Sequence, residues 1–505
     1  MTTPEGDSDD HRASILQPAP RASRRGRLSL DARELFEMAL IMIALLANDL
    51  LLPRVLYGDG LVRYCELDRL LNHGPESYCQ FEPSLNAVAL STSRYSLIGP
   101  IFAAPLWWLG HLSGGALGAG TETQRYNALL FGLTVLALYL ILRRYMDGRL
   151  LRAFLLLLAL ASMVPYHLTQ FYGEVFTAVL VAVGLSLVTL SARGGGRLAG
   201  WALMAVGVAN TPATLAGLAL VVAQRIWASG RLRYALALLA AGGLIVIESL
   251  LRRGGPFTTG YEHDTGGLPP AALVGGWLPG FNYPFLIGLL AILLSFGKGL
   301  LFYAPGLFLP LRGRLRALGD SGGALQRLHT SWLLFTAGLV LIYASWWDWS
   351  GDWFWGPRFL LFASIPASFA LAVWTQRPSS RLWVNLIALL ALALSVWVGI
   401  DSAVFGQADL SYCITPDRTV QDTCRFIPSY SALWRPVVNL YQYGPSPRFM
   451  AVEGLQPTGI IYALIALAIA AYFALPLLRA IFAQSRTLLR EWGPIAHKRL
   501  AALRV

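Results

Sequence analysis

Long apolar runs separated by short polar segments dominate the chain from residue 35 almost to its end. A run of about 17–25 apolar residues can cross a hydrocarbon core of about 30 Å as a helix. The pattern therefore predicts an all-α polytopic membrane protein with about 12 transmembrane helices, in a range of about 11–14, and with juxtamembrane helices at the outer face. The predicted apolar helices cover 35–53, 126–142, 153–167, 174–193, 198–227, 234–251, 285–296, 299–312, 332–345, 359–374, 382–400 and 460–478.

Two of these regions carry helix breakers. The apolar segment 96–112 contains Pro100 and Pro105, and we interpret it as a helix lying in the outer interface rather than a crossing. The segment 198–227 is too long for one span and holds Asn210, Thr211 and Pro212 at its middle, which predicts two short helices. Counting either 96–112 or 285–296 as a crossing would invert the topology after it.

Arginine clusters set the expected orientation. Arg21, Arg24, Arg25 and Arg27 precede the first span, so the positive-inside rule places the N-terminus in the cytoplasm. We expect a disordered tail at 1–30, a transmembrane domain at 31–479 and a basic cytoplasmic tail at 480–505. The outer loops are then 52–125, 252–298, 346–358 and 401–459, in a bacterial-type inner (cell) membrane.

Composition supports a membrane protein. The chain is 55% hydrophobic and only 13% charged, against roughly 25% charged residues in soluble domains. Its net charge of +12 comes from short basic clusters between apolar runs, with no continuous patch beside stacking aromatics. These clusters indicate topology, and we expect the lipid bilayer rather than nucleic acid as a partner.

All four cysteines fall in predicted outer loops, as Cys65 with Cys79 and Cys413 with Cys424. In an oxidising compartment two local disulfides are expected, each stabilising the chain by roughly 3 kcal/mol. The alternative is four unpaired thiols in polar loops.

Asp59 is the main candidate for chemistry. It stands between two glycines just before a segment with apolar residues at helical spacing, so it could simply cap that helix. A carboxylate at a helix start near the membrane surface could equally accept a proton from an acceptor hydroxyl. Arg63, one helical turn later, could meet an anionic group.

Other charged residues stand at the entrances of predicted spans. Arg94 and Lys298 could each hold a phosphate or anchor the chain at the interface. Glu174 begins an apolar span, where an unpaired charge costs about 2.5–3.5 kcal/mol at the bilayer centre, so it should face a watery cavity. Glu248 and Arg252 are spaced to neutralise each other, and we leave both out of the site.

Metal binding has only weak support in the sequence. His167 lies seven residues before Glu174 around the same turn, without a tight ligand spacing. Asp59, Glu174 and His167 are the ligands we would expect if a divalent cation serves as cofactor; the sequence leaves that cofactor open.

A tryptophan-rich turn follows at 346–358. Aromatic belts at the membrane interface explain many such clusters, but carboxylates interleaved with indole rings also suit a sugar. The candidate sugar- or acceptor-binding residues are Tyr95, Trp346, Asp348, Trp349 and Asp352, and Arg358 closes the turn as a candidate for an anionic partner.

Together these motifs resemble the GT-C superfamily of integral-membrane glycosyltransferases, of the protein O-mannosyltransferase and lipid A aminoarabinose transferase type. The resemblance covers roughly 35–366. It lies in the order of its motifs: Tyr57-Gly-Asp59-Gly, Arg63-Tyr64, Arg94-Tyr95 with the proline-broken helix, Glu174, Gly297 to Pro305, and Trp346 to Arg358.

The resemblance implies transfer of a sugar from a polyprenyl-phosphate donor to an unknown acceptor at the outer face. Asp59 would be the general base and Glu174 a second catalytic acid. Arg63, Arg94, Lys298 and Arg358 would bind the donor phosphate. The chain departs from the family pattern where a second Asp is expected, since Glu174 is the only acid on its turn, which places metal use in doubt.

Two other functions stay open from the sequence. A transporter or flippase of lipid-linked sugars would also need outer arginines and a membrane cavity, although no internal repeat is evident. A ligase that moves a whole glycan from a lipid pyrophosphate is the related enzyme alternative. A structural scaffold would not explain acids at span entrances.

Overall fold

A computed structural model describes residues 31–56, 58–72, 79, 94–258, 280–316, 320–351, 354–406, 423–446 and 456–502. The predicted tail at 1–30, Tyr57, Asp352, Cys413 and much of the loop 401–459 lie outside the described residues. The secondary structure of the described part is helical, which confirms the predicted all-α fold class.

The helices follow the apolar runs closely. In chain order they are α1 Ala32–Leu50, α2 Gly58–Leu71, α3 Ile98–Ile101, α4 Ala104–Thr123, α5 Tyr126–Leu142, α6 Gly148–Leu160, α7 Val164–Leu168, α8 Gly173–Leu190, α9 Gly194–Asn210, α10 Leu215–Ser229, α11 Leu236–Arg253, α12 Phe285–Leu294, α13 Leu300–Tyr303, α14 Arg312–Arg316, α15 Asp320–Tyr343, α16 Ser364–Gln376, α17 Leu382–Val404, α18 Arg435–Tyr443 and α19 Pro457–Ala502. A short 3₁₀ helix, Arg358–Ala363, leads directly into α16.

Fewer helices than predicted could cross a membrane on their own. Among the described residues five are long and apolar enough, or six if α4 and α5, which meet at a bend of 54°, count as one span. The count of about 12 is therefore not confirmed. The difference arises because glycine, proline and polar residues divide several predicted spans into shorter helices.

The break between α9 and α10 places a buried polar side chain where it contacts two other helices. The two helices end and begin around Asn210, Thr211 and Pro212, as predicted. The buried Asn210 amide donates to the Gly173 carbonyl at 2.8 Å, and its side-chain oxygen accepts from the Gly99 N–H at 3.0 Å. The break therefore holds the start of α8 against α3, which fixes the position of Glu174.

The core is formed mainly by α6, α8, α16 and the helices packed on them, whose apolar residues are almost all buried. A second, smaller core joins α2 to α4: Tyr64, Leu67 and Trp107 are buried there, and the Trp107 indole donates to Asp68 at 2.9 Å. The first helix after the opening span is thus anchored on the proline-broken segment.

The structure also contains a predicted disulfide. Cys65 and Cys79 are bonded, and the link joins α2 to the segment after it. Cys424 is disulfide-bonded as well, while its predicted partner Cys413 lies outside the described residues.

Candidate active site

Asp59 lies in the first turn of α2, but its carboxylate does not act as a simple helix cap. One oxygen accepts a hydrogen bond from the Tyr95 hydroxyl and the other lies 2.5 Å from Nη1 of Arg358, which is 299 positions away in the chain. The Asp59 side chain is 16% exposed. The carboxylate is therefore paired with distant residues while retaining some access from outside.

Arg358 bridges two acids. Its Nη1 also lies 3.9 Å from the Glu174 carboxylate, so the guanidinium stands between Asp59 and Glu174. The Phe354 ring packs 4.2 Å from the guanidinium carbon. The Nε of Arg358 is buried and makes no hydrogen bond to any described residue. This N–H group is therefore one directed donor for an anionic ligand.

Tyr95 links the two predicted arginines to the acid. Arg94 donates from Nε to the Tyr95 hydroxyl at 3.1 Å, and the Arg63 guanidinium lies 5.0 Å from the Tyr95 ring centre. Arg63 also donates to the Ser96 carbonyl at 3.3 Å. The structure therefore brings together Asp59, Arg63, Arg94, Tyr95, Glu174 and Arg358 in one site.

These contacts lower the pKa of Asp59 in spite of its surroundings. Burial by itself raises the pKa, but the positive charge of Arg358, the hydrogen bond from Tyr95 and the charge of Arg94 together bring it below its ordinary value. The carboxylate is therefore ionised at neutral pH, as a proton acceptor has to be.

Gly173 is a site residue that the sequence did not point to. A Cβ at this position would lie 2.6 Å from Nη1 of Arg63, so a larger residue would displace the guanidinium from its place beneath the start of α8. Tyr172, just before it, was also missed. Its buried hydroxyl makes no hydrogen bond to the described residues, its ring lies 5.6 Å from the Arg358 guanidinium, and burial raises its pKa well above the ordinary value.

Glu248 and Arg252 also belong to the site's framework. They pair with each other at 3.0 Å, as their spacing predicts. Glu248 in addition accepts hydrogen bonds from the Ser96 hydroxyl at 2.6 Å and the Leu97 N–H at 2.7 Å, and Arg252 donates to the Tyr95 carbonyl at 2.5 Å. Glu248 and Arg252, which their spacing alone left out of the predicted site, thus hold the segment that contains Tyr95 in place.

Lys298 contacts the tryptophan-rich turn just before Arg358. The side chain is only 5% exposed, and its ammonium group donates to the carbonyl of Phe354 and, at 3.0 Å, to that of Gly356. Lys298 therefore stabilises the turn that positions Arg358. Its role as a phosphate ligand stays a prediction.

The tryptophan-rich turn is packed against neighbouring segments. Asp348 pairs with Arg425 at 3.2 Å, Trp349 is buried against Phe426 with ring centres 5.8 Å apart, and Trp346 contacts Phe281 at 4.9 Å. Binding of a sugar by these residues is not tested by these contacts.

Both acids are paired with Arg358 as they are arranged, and a divalent cation as cofactor stays a prediction. Among the described residues no three His, Cys, Asp or Glu side chains form a group that could hold a metal ion. The Arg358 guanidinium occupies the place between Asp59 and Glu174 that a cation would take. His167 contacts the Met163 carbonyl through Nδ1 at 2.9 Å instead.

Comparisons with known proteins give limited information. No protein-family profile and no curated protein matches the chain. The chain is similar in structure to ArnT from Cupriavidus metallidurans in the apo state, with 16% identity, a TM-score of 0.48, and coverage of 89% of this chain and 78% of that one. ArnT bound to undecaprenyl phosphate gives 16% identity, a TM-score of 0.46, and coverage of 92% and 80%. At this identity and these TM-scores the likeness carries no argument about activity, which has to rest on the chain's own residues.

Proposed function

We propose that this protein is a membrane glycosyltransferase that moves a sugar from a polyprenyl-phosphate donor to an acceptor (lipid, glycan or protein) at the outer membrane face. The observation that carries the proposal is the ionised Asp59 carboxylate, held between Tyr95 and Arg358 at the ends of apolar helices. It places a proton acceptor beside a cluster of arginines, and sugar transfer from a lipid phosphate needs both.

The reaction balances with these groups alone. Asp59 accepts the proton of the acceptor hydroxyl, and the acceptor oxygen forms a bond to the anomeric carbon of the donor sugar. The bond from that carbon to the phosphate oxygen breaks, and its electron pair leaves with the lipid phosphate. No step requires a metal ion.

The arginines supply the positive charge that the leaving phosphate requires. The Nε of Arg358 has no partner among the described residues, and Arg94 is exposed beside Tyr95. Fixed cations at a developing negative charge stabilise a transition state more than a ground state. Glu174, 3.9 Å from Arg358, helps to hold that guanidinium in place.

The test is an assay of the purified protein with a panel of polyprenyl-phosphate sugars and candidate acceptors. Asp59→Asn keeps the size of the side chain but removes the proton acceptor, so the transfer rate should fall by about 10²–10⁴-fold. Asp49→Asn is a matched control, because Asp49 also pairs with an arginine, Arg54, at the other end of the connection to α2. Its transfer rate should stay near that of the unmodified protein.

Heat stability separates chemistry from folding. Asp59→Asn leaves the Arg358 guanidinium 3.9 Å from the Glu174 carboxylate, so the arginine keeps an acidic partner. The variant should therefore melt close to the unmodified protein and still be inactive. If Asp59→Asn keeps most of its transfer rate, Asp59 is not the base. Translocation of lipid-linked sugars in liposomes without any transfer would establish a transporter instead.

A further inference from the structure

A second charged cluster lies at the other end of α1 from the active site. Glu37 is fully buried, and both of its oxygens are engaged: one accepts from Arg152 at 2.5 Å, and the other from Arg33 at 3.1 Å and from the Tyr472 hydroxyl at 3.0 Å. The cluster therefore ties together α1, α6 and α19.

The cluster and the active site lie near opposite ends of α1. At 1.5 Å per residue, the 19 residues of α1 extend over about 28 Å, close to the thickness of a hydrocarbon core. Arg33 stands in the first turn of α1, and Asp49 in its last turn, ten positions before Asp59. A ligand of this cluster is thus a different molecule from the substrates at Asp59.

Positive charge exceeds negative charge in the cluster. Arg33 and Arg152 form ion pairs with two acids, Glu34 and Glu37, and the charges of Arg149 and Arg479 act on the same cluster. Asp147 also lies close in the chain, but it pairs with Arg377 at 3.6 Å. Two positive charges are therefore left without an acidic partner among these residues.

The excess positive charge of the cluster acts most clearly on Arg149. Its Nε is buried and makes no hydrogen bond to a described residue, and its guanidinium lies 5.9 Å from the Tyr472 ring centre. Burial lowers its pKa, and the charge of Arg33 lowers it further, beyond what Glu37 restores. An anion bound here would offset both the cost of desolvating the Arg149 guanidinium and its repulsion from Arg33.

Exposed apolar side chains lie next to the cluster. Leu35 and Phe36 on α1 are 54% and 51% exposed, and the Phe36 ring contacts Tyr472 with centres 5.6 Å apart. On α19, Leu475 is exposed too. A cationic group beside a lipid-facing apolar surface is the arrangement that recognises phospholipid head groups.

We propose that Arg33, Arg149 and Arg479 form a site for the phosphate of an anionic phospholipid, whose acyl chains lie along Leu35 and Phe36. Charge complementarity favours this occupant over a zwitterionic lipid, and the apolar surface favours it over a soluble phosphate. The bound lipid would join α1, α6 and α19 near the end of α1 opposite the active site.

Titration of the purified full-length protein with phosphatidylglycerol and with phosphatidylcholine, followed by native mass spectrometry, tests the site. Loss of one lipid-facing cation should weaken phosphatidylglycerol binding about five-fold in Arg149→Gln, while phosphatidylcholine binding stays unchanged. Arg197→Gln is the matched control, because Arg197 is an exposed arginine in the first turn of another helix, α9. Equal lipid binding by the two variants would overturn the proposal.

Two further measurements separate lipid binding from its alternatives. The rise in melting temperature on adding phosphatidylglycerol is measured for each variant against its own lipid-free state, so lower intrinsic stability does not imitate lost binding. Arg149→Lys should keep most of that rise, because it keeps the charge. Displacement of the lipid by millimolar glycerol phosphate would show a site for free phosphate, which contradicts a lipid site.

Discussion

The ionisation of Asp59 depends on one distant residue. Burial favours the protonated form of the carboxyl group, and the charge of Arg358 is the largest opposing influence. Since the folded-state pKa is lowered, the stability that this pair contributes is present above the ordinary pKa of aspartate, and it is lost as the pH falls through the lowered value.

This coupling predicts a specific pH dependence. For the unmodified protein, kcat/KM for sugar transfer should show no acid limb from Asp59 between pH 5 and 8, because the carboxylate is already ionised. In Arg358→Gln that positive charge no longer offsets the effect of burial, so the pKa of Asp59 should rise and an acid limb should move toward neutral pH. Rate measurements over this range check the prediction.

A direct spectroscopic measurement covers the case in which Arg358→Gln transfers sugar too slowly. Infrared difference spectra report the protonated carboxyl group, with the Asp59→Asn form of the same variant as the blank. If Asp59 has the same pKa with and without Arg358, the proposed effect of Arg358 on the ionisation of Asp59 is contradicted.

Some of the site could be predicted from single residues and some could not. Asp59 stands out because it is an acid between glycines soon after an apolar run, although the same position also suits a helix cap. Its pairing with Arg358 has no local signal, because the two are 299 positions apart. For Glu248, the spacing correctly predicted the bond to Arg252, but it could not show that Ser96 and Leu97 share the carboxylate.

At the scale of the element, the turn before α16 depends on Lys298. The backbone there passes through Gly351 and Gly356, both at positive φ, and its described residues form no regular helix or strand. The buried ammonium of Lys298 donates to two of its carbonyls, those of Phe354 and Gly356. Lys298 is therefore one of the side chains from other segments that position the turn and Arg358.

Lys298→Met should consequently affect folding and activity together. It removes the ammonium group that donates to both carbonyls, at a cost of about 1–3 kcal/mol, and it loosens the position of Arg358, so both the melting temperature and kcat should fall. Lys298→Arg, which keeps a donor, is the control and should be less affected. A rise in KM for the donor with an unchanged melting temperature would instead favour direct phosphate binding by Lys298.

The helices themselves were largely predictable from apolar periodicity, including the break at Asn210 and the start of α8 beside Glu174. The number of membrane crossings was not. The predicted span 153–167 is divided between α6 and α7 at Ser162, and Pro165 stands in the first turn of α7. A single serine and a single proline are also tolerated inside membrane helices, so their presence did not distinguish a broken helix from one crossing.

At the scale of the whole molecule, the ends of distant helices meet on one side. Arg252 at the end of α11 contacts the Tyr95 carbonyl, Arg358 contacts Asp59, and the Gly297 N–H donates to the Arg425 carbonyl at 3.0 Å. These contacts join parts of all four predicted outer loops, although the composition of each loop alone suggests no such meeting.

Site-specific labelling should confirm this arrangement in cells. The described part of the chain has no free cysteine, so single introduced cysteines can be followed with a membrane-impermeant maleimide. Gln442→Cys, in α18, should react in intact spheroplasts, and Arg231→Cys, between α10 and α11, should react only after the membrane is opened. Labelling of both positions from the same side would contradict the predicted topology.

The last helix is much longer than one crossing requires. At 1.5 Å per residue, the 46 residues of α19 extend over about 69 Å, more than twice the roughly 30 Å of a hydrocarbon core. Even a tilted crossing leaves roughly 30 Å of helix beyond the length that the hydrocarbon core requires. Its far end therefore behaves as a spacer, and a fluorescent protein or affinity tag fused there would be held away from the bilayer surface instead of lying against it.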